Sequence, residues 1–260
     1  MNKFGVVVTV LAAACGGGGG GGNDVDAPGG VDMPPPDMPP PAQKLGVVGV
    51  FEQTVANQQL TGVLATFSDG TGSTTPDRTE GPCVVRSTAG ATATAASAGT
   101  VTVTRGAKVV TLTPDGASKY QGQIDQGFVY APGDALAFAA AGATVPAFSG
   151  DLTFPDAVTI TDPTGFPAGI KSGFSIAWTG AAAVHVTITQ SNNVVITCDL
   201  ASSPGAIPAA ALSDLIPGNQ QAMQIGLVIG AFAVTTKTAG DFAVELQALN
   251  GGLSAIGFAQ

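Results

Sequence analysis

Between Lys44 and Gln260 apolar residues recur at every second position in short runs, and that period decides what the chain can fold into. In Thr100-Val101-Thr102-Val103-Thr104 the valines share one face and the threonines the other. Phe174, Ile176 and Trp178 form one apolar face, as do Val184, Val186 and Ile188. A strand sends successive side chains to opposite faces, so such runs build sheets with one wet face. Strands are read over 46–51, 62–67, 83–86, 100–104, 109–113, 135–139, 157–160, 174–178, 184–189, 194–200, 223–234 and 242–249. Asp69-Gly70, Asp115-Gly116 and Asn250-Gly251 read as turns.

One stretch departs from the pattern. Residues 207–215 carry Pro208 where a first helical residue stands, and Pro217 and Gly218 follow as stops, which predicts one short helix. Met223, Ile225, Leu227 and Ile229 share a parity that Phe232 and Val234 do not. A β-bulge near Gly230 would bring both sets to one face. The expected fold class is therefore all-β, an antiparallel β-sandwich with one short helix. It is either one large sandwich or two small Ig-like modules. A sub-boundary is read near 148–156.

The first 43 residues cannot join that core. Residues 16–22 are seven consecutive glycines, and 23–43 are rich in proline, with Asp-Met-Pro-Pro-Pro at 32–36 and again at 37–41. Polyglycine has nothing to bury and the most backbone entropy to lose. The proline segment prefers extended polyproline II, and 28–41 would reach about 40 Å at ~3.1 Å per residue. Residues 15–43 are thus expected to be a disordered tether, and 44–260 the folded domain.

Ahead of the tether, Lys3 precedes an apolar run at 4–14 that is too short to span a bilayer as a helix. Small residues then lead into Cys15, with Leu11 four positions before it. This resembles the lipobox of bacterial lipoproteins. The resemblance implies that residues 1–14 are a signal peptide, that Cys15 is lipidated after cleavage, and that the chain is membrane-anchored. Gly16, rather than Asp, follows the cysteine, which under the lipoprotein sorting pattern implies the outer membrane. The alternative is ordinary cleavage after Ala14, leaving Cys15 as a free thiol.

Composition narrows function by exclusion. The 260 residues hold 9 Lys+Arg against 18 Asp+Glu, a net charge of −9, with one His and three Cys. A single histidine cannot build a two-histidine metal site, nor three cysteines a four-thiolate zinc site. Without a basic cluster, a nucleic-acid partner is not expected. No Gly-x-Ser-x-Gly elbow and no phosphate-cradling Gly-x-x-x-x-Gly-Lys-Ser/Thr occurs.

The remaining residues of interest have bland readings beside sharp ones. Cys83 and Cys198 lie on apolar faces of two predicted strands, and in an oxidising compartment we expect them to form a disulfide; two buried free thiols are the alternative. His185 points to the face opposite Val184 and Val186, a half-exposed sheet position with a structural or surface role. Asp69, Asp77 and Glu80, with Arg78, are read as one long loop over 68–82. They would matter only if two carboxylates met across a cleft to cleave a glycoside. Asp69-Gly70-Thr71-Gly72-Ser73 has oxygen ligands but lacks the spacing of a calcium loop. Trp178 reads as core, sharing parity with Phe174 and Ile176.

A further resemblance rests on Pro132-Gly133-Asp134, Val145-Pro146-Ala147-Phe148, the strand ending in Trp178, Cys198 and the Ile207-Pro208-x-x-x-Leu212-x-x-Leu215 segment. Over 130–216 these are similar to a module of myxobacterial-type lipoproteins, which implies a secreted β-rich domain on a lipid anchor and transfers no activity. The function expected is non-catalytic. The domain would be a binding or adhesion module held at the membrane by its N-terminal lipid, with a glycan or an envelope protein as partner. A periplasm-facing structural or assembly role is the alternative, and a carboxylate-based glycan hydrolase a lesser one. No cofactor is expected.

Overall fold

The computed structural model describes residues 44–55, 58–71, 78–87, 92–124, 130–190, 194–215 and 224–258. Cys15, residues 1–14, the 15–43 tether, Asp77, Gly72 and Ser73 lie outside them.

Most of the described chain is strand, and helix is confined to short 3-10 turns. The first seven strands are β1 (Lys44–Val55), β2 (Gln58–Thr71), β3 (Arg78–Glu80), β4 (Cys83–Ser87), β5 (Thr92–Ala95), β6 (Val101–Arg105) and β7 (Lys108–Leu112). Next come β8 (Gln123–Ile124), β9 (Ala135–Ala140), β10 (Phe148–Thr153), β11 (Thr159–Asp162) and β12 (Phe174–Thr179). Last are β13 (Val184–Gln190), β14 (Val194–Leu200), β15 (Gly205–Ile207), β16 (Gln224–Ala239) and β17 (Phe242–Phe258).

A ten-stranded sheet forms the spine, in the order β3-β4-β14-β13-β16-β17-β1-β2-β5, with β8 also on β2. Two smaller sheets lie against it, β10-β9-β6-β7 and β11-β12-β15. Each builds its own core. Under the four-stranded sheet are Val48, Val50, Phe67, Val101, Leu136, Phe138, Phe148, Phe154 and Leu246. Under the three-stranded sheet are Cys83, Val85, Ile176, Trp178, Val186, Ile188, Ile196 and Cys198. Strand β16 shows that both cores use the same face of the spine. Its odd-numbered Ile225, Leu227, Ile229 and Ala231 enter the second core, and its odd-numbered Ala233 and Ala239 the first.

The all-β sandwich is antiparallel with one exception. Strands β1 and β17 pair in parallel, Lys44 with Phe242 through Gln53 with Gly251. Glycines in this region face aromatics: Gly46 is opposite Phe67 and Gly62 opposite Phe51. A Cβ at Gly46 would stand 2.5 Å from the Phe67 ring, and one at Gly62 would collide with Phe51. In each pair the ring lies across the bare glycine and fills the space that a side chain would take.

Several sequence expectations are corrected here. Asp69-Gly70 does not turn. It lies inside β2, paired with Thr94 and Ala93 of β5. Asn250-Gly251 does not turn either, because β17 runs straight through it. The register between β16 and β17 does shift at Ile229/Gly230, where Leu253 and Gly251 are the successive partners. The extra residue, Gly252, therefore belongs to β17, and β16 keeps one parity throughout. Phe232 and Val234 stay on the outer face, Val234 42% exposed, instead of turning inward. The bulge acts on β17: even-numbered Phe242 to Ala248 face the covered side before it, odd-numbered Leu253 after it.

The predicted helix shrinks to a 3-10 turn at Ala209–Leu212. Pro208 remains extended before it (φ −72°, ψ 144°) and Ile207 is taken by β15. A second 3-10 turn, Ile170–Ser172, was not foreseen. The chain passes from one small sheet to the other through 154–158, and Asn250 Nδ2 pins that crossing by donating to the Pro155 carbonyl (3.2 Å).

Candidate functional site

The disulfide is present. Cys83 and Cys198 are joined, with Cα atoms 4.0 Å apart. They are directly opposed residues of β4 and β14, and both are fully buried in the second core. Antiparallel pairing brings opposed Cβ atoms close enough for such a bridge. Next to it, Arg78 of β3 grips the 3-10 turn. Its Nη1 meets Asp214 Oδ2 at 2.6 Å, and its Nη2 donates to the Ala210 carbonyl and to Ser213 Oγ, both at 2.8 Å. Bridge and grip together close one end of the spine.

Asp69 and Glu80 of the supposed loop are far apart, and Asp77 lies outside the described residues. Residues 68–71 belong to β2 and 78–80 to β3, so no single loop carries them. Asp69 pairs with Lys44 at 3.4 Å, and Glu80 with Arg78 at 3.6 Å. Seven strand steps separate β2 from β3 in the spine, about 34 Å at ~4.8 Å per step. Asp69 and Glu80 therefore cannot flank one glycosidic bond, which needs carboxylates within roughly 10 Å of each other. No group of three or more His, Cys, Asp or Glu side chains that could hold a metal occurs among the described residues, and part of the oxygen-rich run at Asp69, Gly72 and Ser73, lies outside them.

The grouping that does concentrate chemistry is built around the one histidine. His185 of β13 is opposite Asp199 of β14. Their Nδ1 and Oδ1 atoms are 2.7 Å apart, the imidazole 11% exposed and the carboxylate 86%. Phe232 of β16 stacks on the imidazole, with ring centroids 4.7 Å apart and planes at 26°. The hydrogen bond from His185, reinforced by its charge, holds the Asp199 carboxyl below the usual carboxylate range against the opposing effect of burial. The register could have exposed the pair: with Gln190 opposite Val194, His185 must face Asp199 just as Val186 faces Cys198. Phe232 carried no such signal, because its strand is far away in sequence.

Chemically this is an oriented, largely covered imidazole bonded to an exposed carboxylate. Among the described residues no hydroxyl or thiol is hydrogen-bonded to it, and a nucleophile–base–acid chain would need one. Trp178 is core, as expected, and its Nε1 donates to the Ala181 carbonyl at 3.0 Å. No described helix is long and apolar enough to cross a membrane. What the fold and its bridge define is a disulfide-bonded β-sandwich, a class suited to an oxidising, extracytoplasmic setting. No protein-family model matches the chain, and no curated protein matches it significantly.

Proposed function

We propose that the chain is a lipid-anchored protein of the bacterial cell envelope, similar to myxobacterial-type lipoproteins. Cys15 is its lipidated residue, and its β-sandwich serves as a non-catalytic binding or adhesion module. The supporting observation is the pairing of a bridged, extracytoplasmic type of domain beginning at Lys44 with the lipobox-like Leu11–Cys15 run and the Gly/Pro-rich 16–43. A domain on such a stalk stands clear of the membrane that holds it. The scattering of Asp69 and Glu80 to distant strands supports a binding role over glycan hydrolysis. An outer-membrane location follows from Gly16 under the lipoprotein sorting pattern.

Protease added to intact cells tests the reading, together with the intact mass of the mature chain. Release of the domain by cleavage within 23–43, with an acylated Cys15, is the expected result. Protection until the outer membrane is breached would replace display with the periplasm-facing role. A freely secreted, unacylated product would remove the anchor altogether.

A further inference from the structure

Strand β17 is 17 residues long, and β16 pairs with it along its whole length. On its other side β1 accompanies it only as far as the Gln53–Gly251 pair. Thr54 and Val55 then remain paired with β2 alone. Among the described residues, Gly252–Phe258 thus have one open edge, about 23 Å long at ~3.3 Å per residue. Among the described residues no strand occupies it, and none of these seven has a hydrogen bond beyond the β16 ladder. Other segments reach this stretch from its covered face, Val158 and Ile160 at Gly252 and the Phe166 ring at Gly257.

Natural sheets guard such edges with lysine, proline or an inward charge. This edge has none of them. Gly252-Leu253-Ser254-Ala255-Ile256-Gly257-Phe258 contains no charged residue and no proline. Ile256, on the outer face, is 66% exposed. By contrast the short β3, at one end of the spine, carries Arg78 and Glu80, and Lys108 lies on the outermost strand of the four-stranded sheet. An unpaired backbone edge fits an extended strand, and a two-fold axis brings like residues together, so a charged edge would repel its own copy.

We infer that Gly252–Phe258 is a self-association edge, where two copies of the chain pair β17 to β17, antiparallel, about a two-fold axis at Ala255. Ala255 is the midpoint of the open stretch. That register sets Ala255 against its own copy, Leu253 against Gly257 and Ser254 against Ile256. Each large residue then faces a small one. The pairing joins two spines into one continuous sheet, and it does not depend on how the chain is anchored.

The test uses the full chain in detergent and on intact cells. Sedimentation over a concentration series is expected to show a dimer, and Ile256→Lys a monomer with an unchanged thermal unfolding midpoint. Coexpressed Ser254→Cys and Ile256→Cys chains are expected to cross-link under mild oxidant only when mixed. A wild-type chain that stays monomeric throughout overturns the inference. So does an Ile256→Lys chain that remains dimeric while the cysteine mixture fails to cross-link.

Discussion

The two cores under the spine are filled by different means. Beneath the four-stranded sheet the packing is aromatic. Phe67 meets Tyr120 edge-on at 5.6 Å and Phe148 at 6.0 Å, and Tyr130 stacks on Phe154 at 5.0 Å. Beneath the three-stranded sheet the filling is mainly aliphatic, with Ile170, Ile176, Ile188, Ile196, Ile207 and Ile225 around a single tryptophan. That side alone carries the disulfide and the Arg78 grip. Large rings bury about 150–250 Å² each and fill volume by themselves. A layer of only three short strands lacks that area, and a covalent bond and a charged clasp supplement it.

The largest expected effect falls on the aromatic side. Phe138→Ala should cost about 3–5 kcal/mol in chemical denaturation, since Phe138 is among the largest fully buried side chains. Hydrogen exchange should rise first in β6, β9 and β10. If β13 and β14 lose protection equally, the two cores unfold as one unit and the contrast between them is only compositional. The converse experiment removes the bridge with Cys83→Ala and Cys198→Ala. It should cost about 2–4 kcal/mol, with exchange rising in β4, β14 and the Ala209–Leu212 turn while β6 and β9 stay protected.

A change in the shared spine should not distinguish the halves. Gly62→Ala forces a Cβ into the Phe51 ring and against the Gln123 carbonyl, 3.1 Å away. It should cost about 1–3 kcal/mol, with both halves loosening together. The smallest effect belongs to Asp199. Its carboxyl titrates lower in the folded chain than in the unfolded one because His185 bonds it. Its contribution is therefore present above the ordinary carboxylate range and lost as pH falls through it. With the carboxylate exposed to solvent, that contribution is below about 1 kcal/mol. Wild-type stability should decline across that pH range more than that of Asp199→Asn, and parallel curves would show the pair to be neutral.

What the sequence made legible was whatever repeats locally. The alternation at Val101–Val103 and at Val184–Ile188 placed strands and buried faces correctly, and parity put Trp178 and both bridge cysteines in the core. What it hid was set by pairing across distance. Nothing near Lys44 announces that β1 lies parallel to a strand some 200 residues later. Asn250-Gly251 permits a hairpin, but a partner as long as β16 holds the strand straight, and the spare glycine becomes a bulge. Asp69 and Glu80 look like neighbours along the chain, yet the spine carries them to separate ends. The His185–Asp199–Phe232 cluster needs three strands in register, and only its hairpin pair was within reach of local reasoning.

The placement of β1 bears on mechanical load. A pull on the chain ahead of Lys44 enters the fold at the first residue of a strand held on both sides, by ten register pairs with β17 and eleven with β2. Force directed along β1 shears the two ladders at once instead of peeling one open rung by rung. An inner strand then works as a clamp at the point where tension arrives. The outermost strands β3, β5 and β7 lie away from β1 and carry none of those pairs.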